Sequence, residues 1–189
     1  MVRENSALWK YLSSGQKDLV RQGYFLLDDA RSHMPLHEVS DYSYLVFPFA
    51  KAYEGFLKQL FLDLGLIKRW QYESEHFRIG KALSPNLVKV LKKHSVYGQL
   101  IGRFGGAKLA DRLWKTWKQG RNELFHYFSH NLKAITLEEA EQLIHEIVDT
   151  MIYAVTTTHV KTQGLSTVAV GFGRPRKTDM SYANTGLQL

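Results

Sequence analysis

TLEEAEQLIHEIVDTMIYAV, residues 136–155, returns its apolar side chains at intervals of three and four. Ala140, Leu143, Ile144, Ile147, Val148, Met151, Ile152 and Val155 therefore share one stripe of a helix, the face that must find a core. Thr136 and Glu139 stand at capping-box spacing, where the hydroxyl accepts from one orphan backbone N–H and the carboxylate from the other. The stretch predicts an amphipathic helix beginning just after Thr136.

The same period recurs through most of the chain. Residues 6–31 read as helix interrupted at Ser13, Ser14 and Gly15, hence one long helix or two shorter ones, ended by Pro35. FAKAYEGFLKQLFLDLG, residues 49–65, carries Phe49, Tyr53, Phe56, Leu57, Leu60, Phe61 and Leu64, with Pro48 as a start or a kink and Gly65 as a stop. In SPNLVKVLKKH, residues 84–94, Ser84 can cap and Pro85 suits the first turn of a short helix. A further helix is expected from Lys108 to Ser129, entered from a flexible GRFGG at 102–106 and weakest at Gly120. Strand-like alternation is confined to STVAVGF at 166–172, and no repeat is present. The expectation is all-α: a bundle of four to five helices over residues 1–162, followed by an irregular C-terminal tail, 163–189, rich in Gly, Pro and charge.

Composition narrows the function classes. With 189 residues, 44% hydrophobic and 13% aromatic, the chain can bury a sizeable core as one domain. It has no cysteine, which excludes disulfides, thiol nucleophiles and Cys-based zinc sites and suits a reducing compartment. No apolar signal segment and no run of roughly 18 uncharged apolar residues occurs, so a cytoplasmic protein without a membrane span is expected. A net charge of +7 favours a polyanionic partner or a solvated basic surface.

GRNELFHYFSHN, residues 120–131, carries the chemistry. On the 108–129 helix, Ala110, Leu113, Trp117, Leu124 and Phe128 point one way, and Arg121 falls inside that stripe where an apolar residue belongs. An unpaired buried charge is costly, so Arg121 must reach a carboxylate, with Glu54 and Glu123 as candidates, or face a seam open to solvent, substrate or a second subunit. His126 lies five residues on, about 500° of ideal helix, leaving the two side chains about 140° apart. Three arrangements reunite them: the reach of Arg121, a distortion near Gly120 or at the helix end, or two copies across a two-fold axis, which the reading favours.

Such a pair suits RNA cleavage. Histidine exchanges protons near neutral pH, and a guanidinium forks onto phosphate oxygens and stabilises charge in a transition state. Asn122, one turn before His126, can orient the imidazole or simply sit on the surface. Lys115, Lys118 and Arg112, with the rings of Trp114 and Trp117, can contact RNA, or form a solvated face with Trp117 in the core. The RPRK cluster at 174–177 can hold RNA or keep the tail soluble. His126 and His130 are half a metal site at best, with no third ligand at matching spacing, and GRFGGAK lacks the Walker spacing; neither a metal nor another cofactor is expected.

RNELFH, an arginine, a polar asparagine and a histidine late in a helix of a compact all-α domain, resembles the signature of the HEPN superfamily. That resemblance implies a metal-independent ribonuclease acting as a homodimer, with the motifs of both subunits at a shared cleft. AYEGFLKQLF at 52–61 together with RNELFH is similar to the C-terminal toxin domain of RNase LS type toxins. There a glutamate on an earlier helix accompanies the Arg and His, and Glu54 is the matching position. The resemblance spans about residues 41–160 and implies a toxin–antitoxin or phage-defence setting with an inhibitory protein partner. Phe128 stands where another HEPN branch carries a modified tyrosine, and the chain has no room for the extra N-terminal domains of RNase LS type toxins. The expected activity is cleavage of single-stranded RNA by Arg121, His126, Asn122 and Glu54. The alternatives are a non-catalytic HEPN-like module binding RNA, nucleotide or a protein, and a structural helical adaptor.

Overall fold

The computed structural model describes residues 2–33, 39–126 and 133–160. Pro35, Phe128, His130, the strand-like stretch at 166–172 and the whole tail lie outside them. The described residues are helical and contain no strand: α1 (Ala7–Tyr11), α2 (Ser14–His33), α3 (Ser43–Asp63), α4 (Arg69–Glu73), α5 (Ile79–Ala82), α6 (Val88–Leu91), α7 (Val96–Phe104), α8 (Lys108–Trp117) and α9 (Leu137–Thr158). Among them, no helix is long and apolar enough to cross a membrane.

The organising element is α3. Its Leu45, Val46, Phe49, Tyr53, Phe56, Leu57, Leu60 and Phe61 are all buried, and it packs against α2 on one side and α9 on another. Close approach of α2 depends on Gly23, where a Cβ would stand 2.3 Å from the Phe49 ring. The helix begins at Ser43, five residues before Pro48, so Pro48 does not start it. Asp41 fixes that beginning: its Oδ1 accepts from the backbone N–H of Ser43 at 2.9 Å and of Ile135 at 3.2 Å. Since Ile135 directly precedes the α9 cap, one carboxylate ties together the starts of two core helices. Gly65, at φ +67, ends the α3 region as its sequence suggests.

The α9 capping box forms, with Thr136 N–H to Glu139 Oε2 at 2.9 Å and Glu139 N–H to Thr136 Oγ1 at 3.2 Å. Seven of the eight stripe residues face the core or pack against it, but Ile152 is 41% exposed. It lies about 80° around the helix from Ile144, at the margin of the buried arc. The N-terminal region resolves into two helices, because Ser13 and Gln16 cap α2 reciprocally, Ser13 N–H to Gln16 Oε1 at 3.1 Å and Gln16 N–H to Ser13 Oγ at 3.3 Å.

Three expectations change. Residues 102–104 are not a flexible entry but the last turn of α7, held by buried Val96, Tyr97 and Leu100; Gly105, at φ +68, ends the helix. The 84–94 stretch is not one short helix but α6 flanked by 3-10 turns, and the Ser84 side chain makes no capping bond. The helix starting at Lys108 keeps α-type bonding only to Trp117 and then widens into a π turn, Lys118–Asn122.

Candidate functional site

The site begins where α8 stops being an α-helix. Leu109, Ala110, Leu113 and Trp117 are buried, and Tyr53 on α3 donates to the Leu113 carbonyl at 3.0 Å. Trp117 also fills the space at Gly80, where a Cβ would meet its ring at 2.2 Å. Beyond this anchored end, the Glu123 N–H bonds the Lys118 carbonyl at 2.8 Å, the i to i+5 spacing of a π turn. Gly120 sits inside the turn, buried against α9; a Cβ there would come within 3.0 Å of Ile147 Cδ1. Glycine's weak helix propensity and its lack of a side chain both fit the turn to this position.

Widening the turn changes the direction of the motif. The rotation of 100° per residue no longer applies past Trp117, so the ideal-helix angle between Arg121 and His126 no longer holds. A distortion near Gly120, one of the three arrangements considered, is present as the π turn, and within it Arg121 and His126 each take a separate partner.

Arg121 turns to α3 and donates from Nε to Glu54 Oε2 at 3.2 Å. Each side chain of the pair is 38% exposed, so this is a seam opening to solvent rather than an ion pair sealed in the core. Only Nε is engaged; neither terminal NH2 group of the guanidinium has an acceptor among the described residues. One residue on, Asn122 Oδ1 accepts from His126 Nε2 at 3.1 Å, which leaves the lone pair of a neutral imidazole on Nδ1. Consecutive residues of the π turn thus join two pairs, Glu54 with Arg121 and Asn122 with His126. Glu123, the other carboxylate considered for Arg121, pairs with Lys118 at 3.0 Å.

The remaining sequence candidates are dispersed. Lys115 is exposed on α8. Arg112 faces α9, its Nε donating to Thr150 Oγ1 at 3.1 Å with Glu146 Oε1 at 3.8 Å, and its guanidinium lies 4.8 Å from the centroid of the Tyr153 ring. Trp114 and Trp117 stack on each other at 5.5 Å. No group of three or more His, Asp or Glu able to hold a metal occurs among the described residues. A groove of about 790 Å³ runs between Val39, Ser40 and Tyr42 and the segment Ala134 to Glu138, and includes none of these candidates.

Two features escaped the sequence reading. Phe47 and Phe125 meet edge to face at 5.6 Å, which lays the end of the motif segment along α3. Thr116 and Thr150, both buried, bond to each other at 3.0 Å and to Glu146 Oε1 at 3.3 Å, a polar clip between α8 and α9. The spacing of Phe47, Lys51 and Glu54 on one α3 face is visible in the sequence, but the partnership with Phe125 is not.

No protein-family model, curated protein or solved structure matches the chain.

Proposed function

We propose that this protein is an endoribonuclease of the HEPN type that cuts single-stranded RNA without a metal ion. The observation that carries the reading is the state of Arg121: oriented by Glu54 through Nε alone, with both NH2 groups turned to no described acceptor, while the next residue, Asn122, bonds His126. A guanidinium fixed at Nε and open at its fork suits bidentate capture of a phosphodiester.

The 2′-hydroxyl of the substrate attacks the adjacent phosphorus while His126 takes up its proton or delivers one to the departing 5′-oxygen. The P–O5′ bond breaks as the new P–O2′ bond forms, leaving a 2′,3′-cyclic phosphate and a 5′-hydroxyl. Arg121 neutralises the charge gathering on the equatorial oxygens. The resemblance of RNELFH to the HEPN signature supports a homodimer with a shared cleft and a role as a toxin or phage-defence effector with an inhibitory partner.

Purified protein incubated with labelled RNA in EDTA, beside His126→Ala and Arg121→Ala, tests the reading. Expected are cleavage by the wild type and loss of about 100-fold or more in each folded variant. Cleavage that stops in EDTA, or that both variants retain, ends it. The Arg121–Glu54 pair also favours a second reading, a non-catalytic module in which that pair shapes a binding surface; RNA binding with no cleavage would select it.

A further inference from the structure

Phe47 is unusual on α3. The helix buries more residues than any other described helix, yet Phe47 is 53% exposed. Lys51 is also exposed, and Glu54 is partly so. Taking Phe47 as zero, 100° steps place Lys51 at about +40°, Glu54 at about −20° and Tyr44 at about +60°, a single stripe. Phe47 lies about 10 Å along the axis from the carboxylate that holds Arg121. Its ring meets Phe125, the residue before His126, edge to face at 5.6 Å. The open ring therefore borders the candidate site from the α3 side.

Tyr44, 44% exposed, continues the stripe and stacks on Tyr42 at 6.2 Å. Lys51 makes no ion pair among the described residues, and the NH2 groups of Arg121 are likewise without an acceptor there. The face thus presents aromatic rings interleaved with cations, the pattern matched by a single nucleic-acid strand, whose bases and phosphates alternate. A second copy of this chain matches it poorly, because a two-fold contact through the stripe would set Lys51 against its own counterpart. A ring already held by Phe125 loses little conformational freedom on stacking.

We infer that Phe47 forms a stacking subsite for a nucleobase of single-stranded RNA next to the phosphate held by Arg121, with Lys51 contacting a neighbouring phosphate and Tyr44 available to the following base. The inference rests on the nuclease reading for the identity of the strand, and it assigns that substrate a base-dependent contact outside the reacting atoms. Phe47 is a binding residue here and takes no part in proton transfer.

The test uses the full chain and a short oligoribonucleotide with 2′-O-methyl sugars, which cannot undergo transesterification, beside the same strand carrying abasic sites. Expected is that Phe47→Leu weakens binding of the base-containing strand about tenfold and leaves the abasic strand unchanged, while Phe47→Tyr restores wild-type affinity. Sedimentation and circular dichroism accompany each variant. Equal binding of the two strands by the wild type, no difference between Phe47→Leu and wild type, or a loss that tracks a fall from dimer to monomer would each overturn the subsite; the last would make Phe47 a contact between copies. Cleavage of the unmodified strand is scored separately. If the wild type cuts nothing but binds in a Phe47-dependent way, the subsite stands and the nuclease reading falls.

Discussion

Arg121 is held by Glu54 through its Nε, 3.2 Å across the seam between α3 and the π turn. With each partner 38% exposed, the bond sits where water screens it, and such pairs contribute about 1 kcal/mol or less to stability. Its consequence lies in orientation: it engages the guanidinium at Nε and leaves the two NH2 groups without an acceptor among the described residues.

Glu54 is therefore a positioning residue under the proposed mechanism. Glu54→Gln keeps an oxygen acceptor but loses the charge, and Glu54→Ala loses both. Single-turnover cleavage should fall in the order wild type, Gln, Ala, by about tenfold at each step in kcat with a smaller change in KM, while the melting temperature moves little. Wild-type turnover by Glu54→Ala would remove the carboxylate from the site.

Arg112 behaves differently, although it shares a helix with the motif. Its Nε bonds Thr150, which is fully buried, and its guanidinium covers the Tyr153 ring at 4.8 Å. Arg112→Met should cost about 1–3 kcal/mol in urea denaturation, through the lost hydrogen bond to Thr150 and the lost cation–π contact, and should leave RNA affinity unchanged. A variant of normal stability with weakened RNA binding would return Arg112 to the RNA surface.

The sequence expresses the scaffold well because helix period and capping are local. Thr136 and Glu139, or the apolar stripe of α3, need only their neighbours to be read. The candidate site is less legible for two reasons. An ideal 3.6-residue turn was extended through Gly120, so Arg121 and His126 were placed on opposed faces, whereas the tertiary packing of Gly120 on Ile147 accompanies a π turn. The partners of the charged groups are also far apart in sequence. The misplaced charge of Arg121 points to a carboxylate, Glu54 or Glu123, but Arg112 to Thr150 and Phe47 to Phe125 join residues that no periodicity connects.

Alkaline pH offers a test of the fold alone. Burial, and then the hydrogen bond that the Tyr97 hydroxyl donates to Asp111, push the Tyr97 pKa up to about 12. Folding thus favours the neutral phenol over the unfolded chain, where it titrates near 10. This contribution is complete below about pH 10 and disappears as the pH climbs towards about 12. Tyr97→Phe carries no such proton, so its stability should fall less steeply across that window in urea titrations. Parallel curves for the two proteins would mean that Tyr97 does not titrate with unfolding.

The π turn itself can be tested through Gly120. Alanine there would raise α-helix propensity by about 1 kcal/mol, but its Cβ would stand 3.0 Å from Ile147 Cδ1 and 3.2 Å from Cγ1. Contact that tight forces a shift of the turn or of α9, a cost of about 1–3 kcal/mol that outweighs the propensity gain. Gly120→Ala should therefore lower the melting temperature and, because Arg121 is the next residue, reduce cleavage as well. Ile147→Val removes Cδ1, the nearer atom. Adding it to Gly120→Ala should recover part of the stability beyond the sum of the single changes, the non-additivity expected of residues in contact. If the double variant is instead additive in stability while cleavage stays low, the loss of activity comes from a turn that has reverted to α geometry, and the π turn rather than the fit to α9 is what sets the direction of Arg121.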